Sequence, residues 1–126
     1  MKSSTPRLTN FSNIGLISDT HGLLRPEAVD ALRDSELILH AGDVGKPEIL
    51  DLLKQLAPVI AVRGNVDTTA WANALPETVV VDEGPVSIYM LHNLQQLDLK
   101  PAAAGFHIVV SGHTHKPLRE ERDGVL

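Results

Sequence analysis

The chain reads as one α/β domain, with a mainly parallel sheet built from βαβ units and then antiparallel hairpins. Three observations predict this. Short aliphatic runs alternate with helical stretches through the first half, which implies right-handed crossovers between parallel strands. The composition is 43% hydrophobic but holds only two Phe, one Trp and one Tyr, so the core must be Val, Ile, Leu and Ala. That aliphatic bias suits a sheet buried under helices. In the second half, β-rich runs flank Glu83-Gly84-Pro85, a hairpin signal.

Taken in order, residues 1–12 are polar and aperiodic and are expected to form a flexible arm, leaving 13–126 as the single domain. Ile14 to Ser18 is a first buried strand, and Pro26 opens a helix where its missing N–H costs nothing. Glu36 to His40 is a second strand. Pro47 opens a second helix, whose stripe is Ile49, Leu50, Leu52, Leu53 and Leu56. Val59 to Val62 is a third strand, giving three strand–loop–helix units in succession. Thr78 to Asp82 and Val86 to Leu91 form the hairpin. A partly helical stretch to Gly105 leads into a strand from Phe106 to Val110. Leu118 to Leu126 reads as the start of a further hairpin with a very short return strand.

Bulk properties exclude several functions. The formal net charge is −5 without a basic run, which argues against nucleic acid as a partner while leaving room for phosphates met by metal ions. With no cysteine, disulfides, thiolate zinc sites and cysteine nucleophiles are all absent, as suits a cytoplasmic protein. No secretory signal and no membrane-spanning run is legible.

The polar residues fall where chemistry would sit. Asp19-Thr20-His21, Gly42-Asp43, Gly64-Asn65, His92 and Gly112-His113-Thr114-His115 all follow strand ends, the edge where open α/β sheets bind ligands. His113 and His115, two apart in extended chain, can aim at one place. Carboxylates, an amide oxygen and imidazoles without thiolate make a donor set for Mn, Fe, Co, Ni or Zn. Asp19, His21, Asp43, Asn65, His92, His113 and His115 exceed one coordination sphere, so two ions sharing a carboxylate fit better. Taken singly, Asp19, Asp43 and Asn65 read equally as helix caps or turn residues. His40 and His107 fall inside strands and read as structural. Trp71 reads as a packing residue, with substrate stacking as the alternative. Arg63 and Lys116 read as solvated, and Asp67 either supports the site or caps the following segment.

The order and spacing of these five blocks, over Ile14 to Pro117, resemble the calcineurin-like metallophosphoesterases, particularly their small stand-alone bacterial phosphodiesterase branch. The resemblance implies an αββα sandwich and two divalent metal ions, manganese before nickel, iron, cobalt or zinc. Asp19, His21, Asp43 and His115 would hold the first ion. Asp43, Asn65, His92 and His113 would hold the second, with Asp43 bridging. Asp43, Asn65 and His113 would serve catalysis, in which a metal-bridging hydroxide attacks a small phosphoester in line. Two departures stand out. Val66 occupies the place where many members carry a general-acid histidine before Asp67, and the chain ends at Leu126, a few tens of residues earlier than relatives do. An unpaired edge strand at that end leaves a homo-oligomer open. The alternatives are a protein-binding scaffold of the same fold, like the retromer subunit, which has lost part of the histidine set, and a nuclease.

Overall fold

Nine apolar residues among Ile14–Ile17, Leu37–His40 and Val59–Ala61 drive the first sheet together. In the computed structural model, which describes residues 13–83, 85–112 and 125–126, these segments are β1, β2 and β3, in the order β1-β2-β3. They are parallel throughout, with Leu16 opposite Leu39 and Leu39 opposite Ile60. Helices α1 (Pro26–Leu32) and α2 (Pro47–Lys54) make the crossovers, each with proline in its first turn. On α2, Ile49, Leu50 and Leu53 are buried, whereas Leu52 is turned to solvent.

The second sheet holds β4 (Thr78–Glu83), β5 (Val86–Leu91) and β6 (Ile108–Val110), with β5 in the middle. Strands β4 and β5 form the expected antiparallel hairpin, while β6 joins β5 in parallel. At the last residue, Leu126 donates its N–H to His107 O at 3.0 Å and accepts from Val109 N–H at 2.8 Å. The rest of the hairpin expected from Leu118, like the N-terminal arm, lies outside the described residues.

Two apolar clusters show the layering. Ile38, Val44, Leu53 and Ala61 pack with Leu32, Ile49 and Leu50 between the first sheet and the helices. Leu37, Leu39 and Val62 meet Val81, Ile88, Met90 and Val110 between the two sheets. Strand β2 is buried along its whole length because both of its faces are covered.

Two expectations need correction. The third strand–loop–helix unit has no α-helix. Ala70–Ala74 is instead a five-residue 3-10 turn, ended by Leu75 in extended conformation (φ −87°, ψ 129°) ahead of Pro76. The residue before proline is driven out of the helical region, which leaves too few residues for a longer helix. The last described strand also begins at Ile108 instead of Phe106, because Phe106 N–H closes a turn onto Pro101 O at 2.9 Å.

Candidate metal centre

The parallel pairing of β1 and β2 continues past their ends and sets the site. Asp19 N–H donates to Gly42 O (2.8 Å), His21 N–H to Asp43 O (2.9 Å) and Gly22 N–H to Val44 O (2.8 Å). The loop after β1 is thus zipped onto the loop after β2. Asp19, His21 and Asp43 are the positive-φ non-glycine residues among those described, at φ 57°, 50° and 58°. Left-handed backbone costs an L-residue roughly 1–2 kcal/mol, and such strain concentrates at functional sites. Here it falls on three acidic or imidazole side chains that come within 4.8 Å of one another.

Each carboxylate is held by one oxygen and presents the other. Asp19 Oδ2 accepts from Ser18 Oγ–H at 2.7 Å, and its Oδ1 lies 3.9 Å from His21 Nε2 and 3.9 Å from His92 Nε2. Asp43 Oδ1 accepts from Val66 N–H at 3.0 Å, and its Oδ2 lies 3.6 Å from His21 Nε2 and 3.2 Å from His92 Nε2. His92, buried at the end of β5, donates Nδ1–H to Ala41 O at 2.7 Å. A carbonyl can only accept, so that bond leaves the lone pair of a neutral ring on Nε2, facing the carboxylates. An imidazole lone pair 3.2 Å from a carboxylate oxygen needs a proton or a cation beside it. Asp19, His21 and Asp43 therefore fit a divalent ion, with His92 Nε2 beside Asp43. His21 is 41% exposed in its side chain, so the site opens to solvent on that side, whereas Asp43 and His92 form its floor.

Close approach of the loops depends on glycine. A Cβ on Gly64 would overlap Asp43 N and Oδ1. A Cβ on Gly112 would lie 2.7 Å from Asp19 Oδ2, so the chain leading to His113 passes directly against the first carboxylate. Asn65 is exposed in the loop between Gly64 and Val66. His113 and His115 lie outside the described residues.

The helix-cap reading fails for the aspartates. The N-caps of α1 and α2 are Arg25 and Lys46, and that of the 3-10 turn is Thr69. Asp67 is not a cap either: it is 2% exposed and accepts N–H bonds from Val44 (3.1 Å), Gly45 (2.9 Å) and Gly64 (2.9 Å). Burial pushes its carboxyl up, but the three N–H groups outweigh burial and hold it below the ordinary carboxylate value. His40 accepts Gly42 N–H on Nδ1 at 3.1 Å, so Nε2–H donates to Thr20 Oγ1 at 3.1 Å and Thr20 in turn donates to Val44 O at 2.9 Å. Burial pushes the His40 imidazole down to about 4 despite nearby Asp67, Asp19 and Asp43, so it stays neutral at pH 7. Sequence reasoning passed over Thr20, Ser18 and this wiring of His40. The available signal was position alone, since each stands beside a motif residue.

The family model of the calcineurin-like phosphoesterase superfamily domain matches residues 13–126. The chain belongs to the calcineurin-like phosphoesterase superfamily. A probable metallophosphoesterase of Methanothermobacter thermautotrophicus is 42% identical over 126 residues, covering 90% of this chain and 73% of that protein. A phosphodiesterase of Methanocaldococcus jannaschii is 28% identical, covering 90% of this chain and 79% of its own length. Among solved structures, Vps29 of Entamoeba histolytica complexed with zinc superposes with a TM-score of 0.70 at 27% identity, covering 88% of this chain and 69% of that one. Membership in the superfamily makes this calcineurin-like domain a metal-dependent phosphoesterase by class, and Asp19, His21 and Asp43 form a candidate metal-binding site beside His92.

Proposed function

We propose that the chain is a phosphodiesterase of the cytoplasm that works with two divalent ions, manganese foremost, on a small phosphoester. The observation that carries this reading is the position of Asp43. One of its oxygens is pinned by Val66 N–H and the other lies near two histidines, 3.6 Å from His21 Nε2 and 3.2 Å from His92 Nε2. A carboxylate so flanked suits the bridge between an ion held with Asp19, His21 and His115 and another held with Asn65, His92 and His113. Bound divalent ions would supply an activated water and neutralise phosphate oxygens.

The chain's own groups do the rest. Ser18 and Val66 turn the carboxylates, and Ala41 O sets the His92 tautomer, so the donors need no rearrangement when charge develops on phosphate. Asn65 and His113 would bind phosphate oxygens. Val66, 47% exposed, cannot give a proton to a leaving group, which favours esters whose leaving groups depart without one. The similarity to an archaeal phosphodiesterase supports diesters as substrates.

The test is direct. Purified protein should contain or take up Mn²⁺ and hydrolyse a bis-aryl phosphodiester faster than an aryl phosphomonoester. Asp43→Ala should lower turnover by roughly two orders of magnitude or more. Wild type inert toward both esters with Mn²⁺ bound would favour the scaffold function instead.

A further inference from the structure

We infer that Asp67 is a positioning residue whose buried carboxylate locks together the two loops carrying Asp43 and Asn65 and thereby sets the affinity of the site for metal. The inference rests on the metal-centre reading above. Asp67 stands on the loop after β3, yet two of its three bonds reach across to the loop after β2. Oδ2 accepts from Val44 N–H at 3.1 Å and from Gly64 N–H at 2.9 Å, so a single oxygen joins the residue after Asp43 to the residue before Asn65. Oδ1 takes Gly45 N–H at 2.9 Å, and Gly45 lies against the backbone of His21 and Gly22. One side chain thus braces all three loops of the described site without itself facing it.

Charge and acceptor number both matter here. An ionised carboxylate accepts at both oxygens and satisfies three backbone amides, those of fully buried Val44 and half-buried Gly45 and Gly64. An amide side chain of the same shape has one oxygen and turns an NH₂ toward a backbone N–H. Asp67→Asn therefore keeps the volume, loses at least one bond and sets donor against donor. Among the described residues, the hydrogen bonds to this carboxylate all come from backbone amides.

The experiment titrates Mn²⁺ into the wild-type chain and Asp67→Asn by calorimetry, well below the melting temperature of each, and measures diester turnover as a function of Mn²⁺. Expected is a loss of Mn²⁺ affinity of roughly 10–100-fold. Turnover at saturating Mn²⁺ should recover to within a few-fold of wild type, since Asp67 does not touch the substrate. Asp67→Asn that melts lower but binds Mn²⁺ with wild-type affinity would show a merely structural role and overturn the inference. Wild type that binds no Mn²⁺ would instead overturn the metal-centre reading itself, so the two failures are distinct. A second measurement needs no variant. By hydrogen exchange on the wild type, the Val44, Gly45 and Gly64 amides should be strongly protected, and free exchange at these three positions would equally overturn the inference.

Discussion

At the scale of single residues, the site is bought with backbone strain. Asp19, His21 and Asp43 each hold a left-handed conformation that glycine would adopt without cost. Their side chains place oxygen and nitrogen donors within 4.8 Å of one another. The strain gives a comparison that separates ligand from backbone. His21→Gly and His21→Ala should both lose metal affinity, but His21→Gly should be the more stable of the two by about 1 kcal/mol, since it relieves φ 50°. Urea denaturation of both variants checks it, and equal midpoints would count against strain at this position. At this scale the sequence was informative about chemistry and silent about posture. Motif order singled out Asp19, His21, Asp43 and His92, but no local pattern indicates that Asp43 Oδ1 is tied to Val66 while Oδ2 faces the histidines.

Among elements, the decisive unit is the pair of loops after β1 and β2, which extend the sheet's hydrogen bonding beyond its strands. Their spacing is so tight that a Cβ on Gly45 would overlap Gly22 N and lie 2.5 Å from the carbonyl carbon of His21. Gly105 has a similar φ, 88° against 90°, with nothing within 4 Å of a Cβ. Gly105→Ala should therefore cost only the conformational penalty, about 1 kcal/mol, whereas Gly45→Ala should cost about 2 kcal/mol or more and also weaken Mn²⁺ binding. Chemical denaturation with a Mn²⁺ titration reads both. The strands and α-helices themselves were legible because their apolar spacing is local. The 3-10 turn at Ala70–Ala74 was not, because the helical spacing there is cut short by the demands of Pro76 on Leu75.

The whole molecule decides the behaviour of His40. It is fully buried at the end of β2, the strand covered on both faces, and its imidazole is pushed down to about 4 from an ordinary 6.5. Between those values the unfolded chain binds more protons than the folded one, so stability rises with pH across this window. The full contribution is present above pH 6.5 and is lost as pH falls toward 4, an effect of about 3 kcal/mol at the usual 1.36 kcal/mol per unit. Urea midpoints at pH 7, 5.5 and 4.5 should show this decline, and His40→Gln should flatten it. An unchanged slope in the variant would assign the acid sensitivity to other groups. Reading His40 as structural from its place inside a strand agrees with its bonds to Gly42 and Thr20, although its role in bridging two loops depends on contacts 20 residues apart.

By itself the sequence determined the layered α/β architecture, the aliphatic core and the placing of Asp19, His21, Asp43, Asn65 and His92 just past strand ends, because apolar periodicity and motif order are properties of neighbouring residues. It did not determine that the second sheet would be mixed, which oxygen of each aspartate would face the histidines, or that Asp67 would accept from amides on two loops. Those outcomes belong to the tertiary structure. Parallel pairing of β1 with β2 and of β2 with β3 brings residues 19–22, 42–45 and 64–67 to one edge of the sheet. There the buried Asp67 carboxylate meets the amides of Val44 and Gly45, 23 and 22 residues away, together with that of nearby Gly64, and there the Asp19 and Asp43 oxygens acquire their direction.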